Sequence, residues 1–178
     1  MRQSAGRVRI RRATAEDAPA IASVLQQAFA EYERLYTEEG YAATTPKPDL
    51  VCVRITEGPV WVALHETQIV GTGSVVRKPR GFYIRGMAVV PAARGLGVGQ
   101  LLLEAIHRFA AVEGCERLFL STTPFLNRAI RLYEAFGFQR TSDGPSDLFG
   151  TPLFTMEKLL SGDTPESPES SLVRHETK

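Results

Sequence analysis

Residues 89–102 read Val-Val-Pro-Ala-Ala-Arg-Gly-Leu-Gly-Val-Gly-Gln-Leu-Leu, an order of residue types suited to holding an anion. A strand predicted over Tyr83–Val90 ends at Pro91, which has no N–H to give to a ladder. Arg94 follows, then glycines at 95, 97 and 99. Val98, Leu101, Leu102, Ala105 and Phe109 then recur at helical spacing. Glycines in a strand-to-helix turn let successive backbone N–H groups point inward. The N-terminus of the helix adds unpaired donors and a positive dipole. The chemistry expected of such a turn is recognition of a pyrophosphate.

Glycine-rich turns serve several ligands, and spacing separates them. A dinucleotide-binding fingerprint needs G-x-G-x-x-G near the first βα turn, with an acidic residue about 20 positions on. Here the glycines alternate, and three antiparallel strands are predicted before them. A Walker A loop needs Gly-Lys-Ser/Thr, which the sequence lacks. A nucleotide-dependent oxidoreductase is therefore disfavoured. A tight turn with no ligand and a coenzyme A pyrophosphate site both stay open.

A second segment bears on that choice: Asn127-Arg-Ala129-Ile-Arg-Leu132-Tyr133-Glu-Ala-Phe-Gly137-Phe138. It resembles the N-x-x-A-x-x-L-Y-x-x-x-G-F motif of the GNAT superfamily of N-acetyltransferases. Arg94-Gly95-Leu96-Gly97-Val98-Gly99 matches that family's Arg/Gln-x-x-Gly-x-Gly/Ala signature. Met87-Ala88-Val89-Val90-Pro91 is similar to its fourth strand. The resemblance runs from about Val8 to Leu160. It implies an α+β (mixed α/β) fold: a single mixed, mostly antiparallel sheet, splayed between strands 4 and 5, with flanking helices. Acyl-CoA would thread the gap, and the acceptor amine would enter from the other side.

The resemblance also implies roles. Backbone N–H groups of Arg94, Gly95, Leu96, Gly97, Val98 and Gly99 would bind the pyrophosphate, with the Arg94 side chain adding charge. Main-chain groups of Met87, Ala88 and Val89 would run along the pantetheine arm. An N–H there would also serve as oxyanion donor, worth about 3–4 kcal/mol when well aimed. Asn127 would hydrogen-bond the same arm. Tyr133, six residues on, lies roughly 9 Å further along the helix. It would give its proton to the departing thiolate, and a phenol pKa of about 10 suits that exchange. Acetyl-CoA is then a co-substrate, and a primary amine of a small molecule or peptide attacks it directly. A homodimer is a further implication of the family.

One feature departs from the pattern. Many family members carry a glutamate on the fourth strand as base, but here that neighbourhood reads Phe82-Tyr83-Ile84-Arg85-Gly86. Tyr83 through water, Glu31, Glu33 or no dedicated base remain alternatives, and none is assigned. The gap keeps a second function class open, a non-catalytic acyl-CoA-binding or regulatory module. Tyr32, Tyr36 and Tyr41 flank the segment where the family builds acceptor specificity. His65, His107 and His175 are scattered among two distant cysteines, with no metal-ligand spacing. Ser121 and Cys115 have no visible base partner, which argues against a covalent acyl-enzyme.

The elements that must position these residues follow from periodicity. Val8–Arg11 reads as a first strand, its arginines facing water. Thr14 caps a helix carrying Ile21, Val24, Leu25, Ala28 and Phe29 on one stripe. Gly40–Pro48 reads as loop, and Asp49 as the cap of a short helix to about Thr56. Pro59–Leu64 and Ile69–Val76 form a hairpin, and Phe82–Val90 returns beside it. The glycine turn opens a helix over Val98–Glu113. Arg117–Ser121 is a strand, and Thr123-Pro124 opens a helix ending at Phe136. Phe138–Thr141 and Leu153–Lys158 are the last strands, separated by a long loop at Ser142–Pro152.

Composition bounds the rest. The chain has 178 residues, 43% hydrophobic and 23% charged, as in an ordinary globular domain. A net charge of +1 argues against nucleic acid or an anionic membrane as the main partner. No run reaches the roughly 18 apolar residues of a membrane span, and no signal peptide is visible. With only Cys52 and Cys115, no disulfide framework exists, and a cytoplasmic setting is expected. Residues 1–7 read as a flexible basic start, 8–160 as the catalytic domain, and 161–178, rich in Ser, Pro and Glu, as a disordered tail.

Overall fold

The computed structural model describes residues 6–143 and 146–160. The expected tail and most of the basic start lie outside the described residues. Among the described residues are eight strands and five α-helices, in the order one strand, three helices, three strands, helix, strand, helix, three strands. β1 (Arg9–Arg12) leads to a 3-10 turn and α1 (Ala18–Phe29). The Asp17 carboxylate accepts the Thr14 N–H at 2.8 Å and pairs with Arg11 at 2.7 Å, fixing that entry. Ala18, Ile21, Val24, Leu25 and Ala28 are buried, the spacing of a single helix face.

The segment expected as loop over Gly40–Pro48 instead holds most of a helix, α2 (Glu38–Thr44). Thr37 caps it by accepting the Gly40 N–H at 3.1 Å, and Glu38 and Glu39 favour the positive end of the dipole. Gly40 is not a turn residue. A Cβ there would stand 2.6 Å from Thr151 Oγ1, so glycine permits a close approach. α3 (Pro48–Glu57) forms as expected, but Lys47 occupies the cap position and Asp49 lies inside the first turn.

β2 (Val60–His65), β3 (Gln68–Lys78) and β4 (Gly81–Val89) make the expected antiparallel meander. α4 (Val98–Val112) follows, with Leu102, Leu103 and Ile106 fully buried. Truncating any of these to Ala would cost about 2–5 kcal/mol. β5 (Arg117–Thr122) leads to a turn rather than directly to a helix. Thr123 is 2% exposed and its carbonyl accepts the Leu126 N–H, so it does not cap; α5 (Asn127–Ala135) starts later than the Thr-Pro pair suggests. β6 (Gln139–Arg140), β7 (Ser146–Leu148) and β8 (Thr151–Leu159) complete the chain. The long loop thus contains a strand. β7 pairs with the start of β8 around Phe149-Gly150, both at positive φ as a tight hairpin turn requires.

The sheet order is β1-β2-β3-β4-β5-β8-β6, with β7 also on β8. α1 lies against one face and α4 against the other, since Gly71 and Gly73 face α4 while Gly86 faces Leu25 of α1. Only β4 and β5 run parallel, and they pair only through Phe82↔Leu118, Tyr83↔Phe119 and Ile84↔Leu120. β4 continues to Val89 and β5 to Thr122 with no further pairing between them. On its other side β4 carries a bulge. Ser74 pairs Arg85 and Thr72 pairs Ala88, so Gly86 and Met87 together oppose Gly73, with Gly86 at φ 61°. The bulge sits where the two central strands part.

Candidate active site

The parting of β4 and β5 opens a cavity of about 670 Å³. At one end it is floored by the turn between β4 and α4. Gly95 and Gly97 hold φ of 81° and 74°, conformations that a side chain would strain, and no atom lies within 4 Å of where a Cβ would sit. Gly99 has a different reason to be glycine: a Cβ there would stand 2.7 Å from Leu132 Cδ2 of α5. The third glycine therefore lets α5 approach the turn. Among the described residues, no main-chain acceptor takes the N–H groups of Gly95, Gly97, Val98 or Gly99. Unpaired donors at a helix N-terminus, on residues that line the cavity, fit an anion such as a diphosphate.

Met87, Ala88, Val89, Arg94, Gly95, Gly97, Val98 and Gly99 all line this cavity. Leu96 sits at the tip of the turn, 44% exposed, and its side chain does not. Arg94 forms an ion pair with Glu31, on the 3-10 segment after α1. Asn127 is the first residue of α5; the lining residues from that helix are Arg128, Ala129, Leu132 and Tyr133.

Tyr133 is 6% exposed and packs against Phe138 at 5.9 Å between ring centroids. Burial pushes its phenol well above the ordinary value, and the neighbouring Tyr83 and Tyr36 phenols push the same way. Its proton is therefore held more tightly than that of a free phenol. Burial thus moves this phenol away from the even match with an alkyl thiolate that its ordinary value of about 10 would give.

The other end of the cavity is built from side chains. Tyr32 and Tyr36 line it, whereas Tyr41 stands behind Tyr36 at 6.1 Å. Tyr32 and Tyr36 both pack on Phe125, in the turn before α5. Burial raises the Tyr36 phenol, against the Thr123 and Thr44 hydroxyls beside it. Leu148 of β7 and Leu153 of β8 close this end, and Thr37 ties them to α2 by donating to the Phe149 carbonyl at 2.8 Å.

Sequence reasoning missed several residues here. Arg54 of α3, Arg85 of β4, Thr122 and Arg128 all line the cavity. Arg54 donates to the Ala43 carbonyl at 3.1 Å, and Arg85 pairs with Glu57. The Thr122 hydroxyl oxygen and Arg85 Nε are buried with no partner among the described residues. Arg85 was visible as the residue near the expected glutamate; nothing in the pattern of α3 sets Arg54 apart from a solvated helix face. No Asp or Glu among the described residues lines the cavity. Glu31 is engaged with Arg94, Glu33 is not in the lining, and Tyr83 is. His107 packs edge-on against Phe136 and is no part of the site. Among the described residues no group of His, Cys, Asp and Glu could hold a metal ion.

Comparison with known proteins agrees with this geometry. The acetyltransferase (GNAT) family model matches residues 21–138. The uncharacterized N-acetyltransferase YjgM of Escherichia coli is 36% identical over 136 residues, covering 73% of this chain and 81% of that protein. The PaiA N-acetyltransferase of Thermoplasma acidophilum, solved in complex with coenzyme A, superposes with a TM-score of 0.73 at 17% identity. It covers 86% of this chain and 99% of its own. YncA of Salmonella typhimurium, solved with its cofactor acetyl-CoA, gives 0.68 at 22% identity, over 90% and 98% of the two chains. The chain belongs to the GNAT acetyltransferase family, as an N-acetyltransferase whose co-substrate is acetyl-CoA.

Proposed function

We propose that this protein moves the acetyl group of acetyl-CoA to a primary amine of a small molecule or peptide, by direct attack within one ternary complex. The observation that carries the reading is the parting of β4 and β5 over a turn of unpaired N–H groups, with Tyr133 on the cleft wall. In this reading the N–H groups of Gly95, Gly97, Val98 and Gly99 take the diphosphate, those of Arg94 and Leu96 being spent on the Pro91 and Ala93 carbonyls rather than free as expected. The Arg94 side chain exchanges part of its pairing with Glu31 for it. Met87, Ala88 and Val89 offer main-chain groups to the pantetheine arm, where β5 no longer competes for them. Asn127 assists from the start of α5.

The neutral amine nitrogen forms a bond to the thioester carbonyl carbon. An N–H of β4 donates a hydrogen bond to the developing oxyanion. The C–S bond then breaks, the thiolate takes the Tyr133 proton, and the amine's surplus proton leaves to water, from which Tyr133 is later reprotonated. Holding both reactants in line supplies much of the acceleration. No carboxylate among the lining residues stands ready as base, so the reaction draws on amine that arrives unprotonated.

The unit that does this spans residues 8–160. Two free cysteines and a coenzyme of central metabolism fit a cytoplasmic setting, and no helix among the described residues is long and apolar enough to cross a membrane. The homodimer implied by the family is tested by light scattering. Acetyl-CoA should raise the melting temperature and NAD should not. Thiol release that depends on an added amine is the decisive measurement; tight coenzyme binding with no release from any amine would overturn the reading.

A further inference from the structure

The acceptor end of the cavity has a charge pattern of its own. Four arginines line the cavity, Arg54, Arg85, Arg94 and Arg128, and no lining residue is acidic. Arg94 is matched by Glu31. Arg54 and Arg85 share one carboxylate: Glu57 is bonded to Arg85 and lies near enough to Arg54 to act on it only through space. Two guanidiniums against one half-exposed carboxylate leave an uncompensated positive charge beside the bulge.

Arg54 is held for this purpose. One of its terminal nitrogens, Nη2, is spent on the Ala43 carbonyl of α2. The other, Nη1, stands over Gly86, 3.8 Å from where a Cβ would sit. Burial and the like charge of Arg85 both disfavour its charged form, and yet an arginine stays protonated, so an anion is what relieves the site. Arg85 Nε is a buried donor with no partner among the described residues, and leaving such a donor unpaired is costly. Around these groups the wall is apolar and aromatic: Phe29, Tyr32, Tyr36, Leu148 and Leu153. A polycationic amine, such as a polyamine or aminoglycoside, would meet repulsion here.

We propose that the acceptor is an amino-carboxylate with an apolar or aromatic body, its carboxylate held by Arg54 and Arg85 and its amine directed along β4 toward the thioester. Guanidinium and carboxylate match in planar, two-bonded geometry, which fixes orientation as well as affinity. The inference rests on the acetyl transfer proposed above and narrows its acceptor.

The test is thiol release from acetyl-CoA with matched amines: L-phenylalanine against L-phenylalaninamide and phenethylamine, L-leucine against L-leucinamide, and spermidine. The carboxylates should exceed their amides by about 100-fold in kcat/KM. Arg54→Gln and, separately, Arg85→Gln should raise KM for the carboxylates, bring carboxylate and amide to near parity, and leave the melting-temperature rise caused by coenzyme A intact. Having both variants guards against one that fails to fold after losing the α2–α3 tie. Amides or spermidine turned over as well as the carboxylates would overturn this inference and leave acetyl transfer standing. So would an Arg54→Gln or Arg85→Gln variant that loses both kinds of acceptor equally. No thiol release from any member, with coenzyme A bound, would overturn both.

Discussion

The two ends of the cavity are built on opposite plans. The end we assign to the coenzyme is main chain: a turn whose unpaired donors are those of Gly95, Gly97, Val98 and Gly99, and a strand edge over residues 85–89. The acceptor end is side chain: Tyr32 and Tyr36 after α1, Arg54 from α3, Arg85 from β4, Leu148 and Leu153 from the final hairpin. A backbone site tolerates changes of side chain but not of conformation. A side-chain site is the reverse, and its ligand can change while the fold persists.

That contrast can be broken or sharpened by substitution. The largest effect is expected where the two ends meet. Tyr133→Phe should lower kcat by about 100-fold and leave coenzyme affinity unchanged, read by pre-steady-state thiol release and calorimetry. Because burial raises the Tyr133 phenol, the wild-type pH profile should show no alkaline limb from it below pH about 10. An unchanged rate in the variant would remove Tyr133 from the chemistry.

Next comes the turn. Gly97→Val puts a β-branched residue at φ 74°, a strain of about 1–2 kcal/mol. Coenzyme affinity should fall about tenfold, with acceptor preference unaltered. Thr37→Ala removes the cap of α2 and its bond to the Phe149 carbonyl, and should cost about 1 kcal/mol of stability. Here acceptor KM should rise and coenzyme affinity should hold, since the loosened segment borders only one end. A matching loss of coenzyme affinity would dissolve the distinction.

The smallest effect serves as control. Asp17 lies outside the cavity, and its carboxyl is held at about 2, chiefly by the hydrogen bond from Arg11. Its folded value is below the ordinary 3.8, so its stabilisation is fully present above pH about 4 and fades as pH falls through about 2. Asp17→Asn should cost about 1 kcal/mol at pH 7, measured by urea unfolding, and the difference from wild type should shrink steadily as pH falls from about 4 through about 2. Neither substrate's binding should change.

The same contrast explains what the sequence disclosed. The coenzyme end was legible because its residues are contiguous and carry special conformations: Gly95 and Gly97 cannot be read as ordinary loop. Gly99 was legible for only half its reason, since its contact with Leu132 depends on how α4 meets α5. Strand order, the meander and the parting of β4 from β5 followed from the resemblance together with apolar periodicity. α2 was hidden because Gly40 and the Pro46–Pro48 segment imitate a loop; only the close approach to Thr151 makes the glycine intelligible. Thr123 was misread as a cap because its burial against the cleft comes from elements distant in the chain. Arg54 had no local mark at all. It matters through Ala43, Gly86 and Arg85, three neighbours brought together only by the fold.

The sheet's seam has a consequence for how the protein lives in solution. Interior strands normally finish each other's ladders, but here β4 past Ile84 presents a bare edge in the middle of the molecule. Bare edges invite other chains to add themselves, which is the first step of aggregation. In the reading proposed above, the pantetheine arm lies along that edge as a borrowed strand. Where the two strands part, the ladder of β4 is left for a bound molecule to complete.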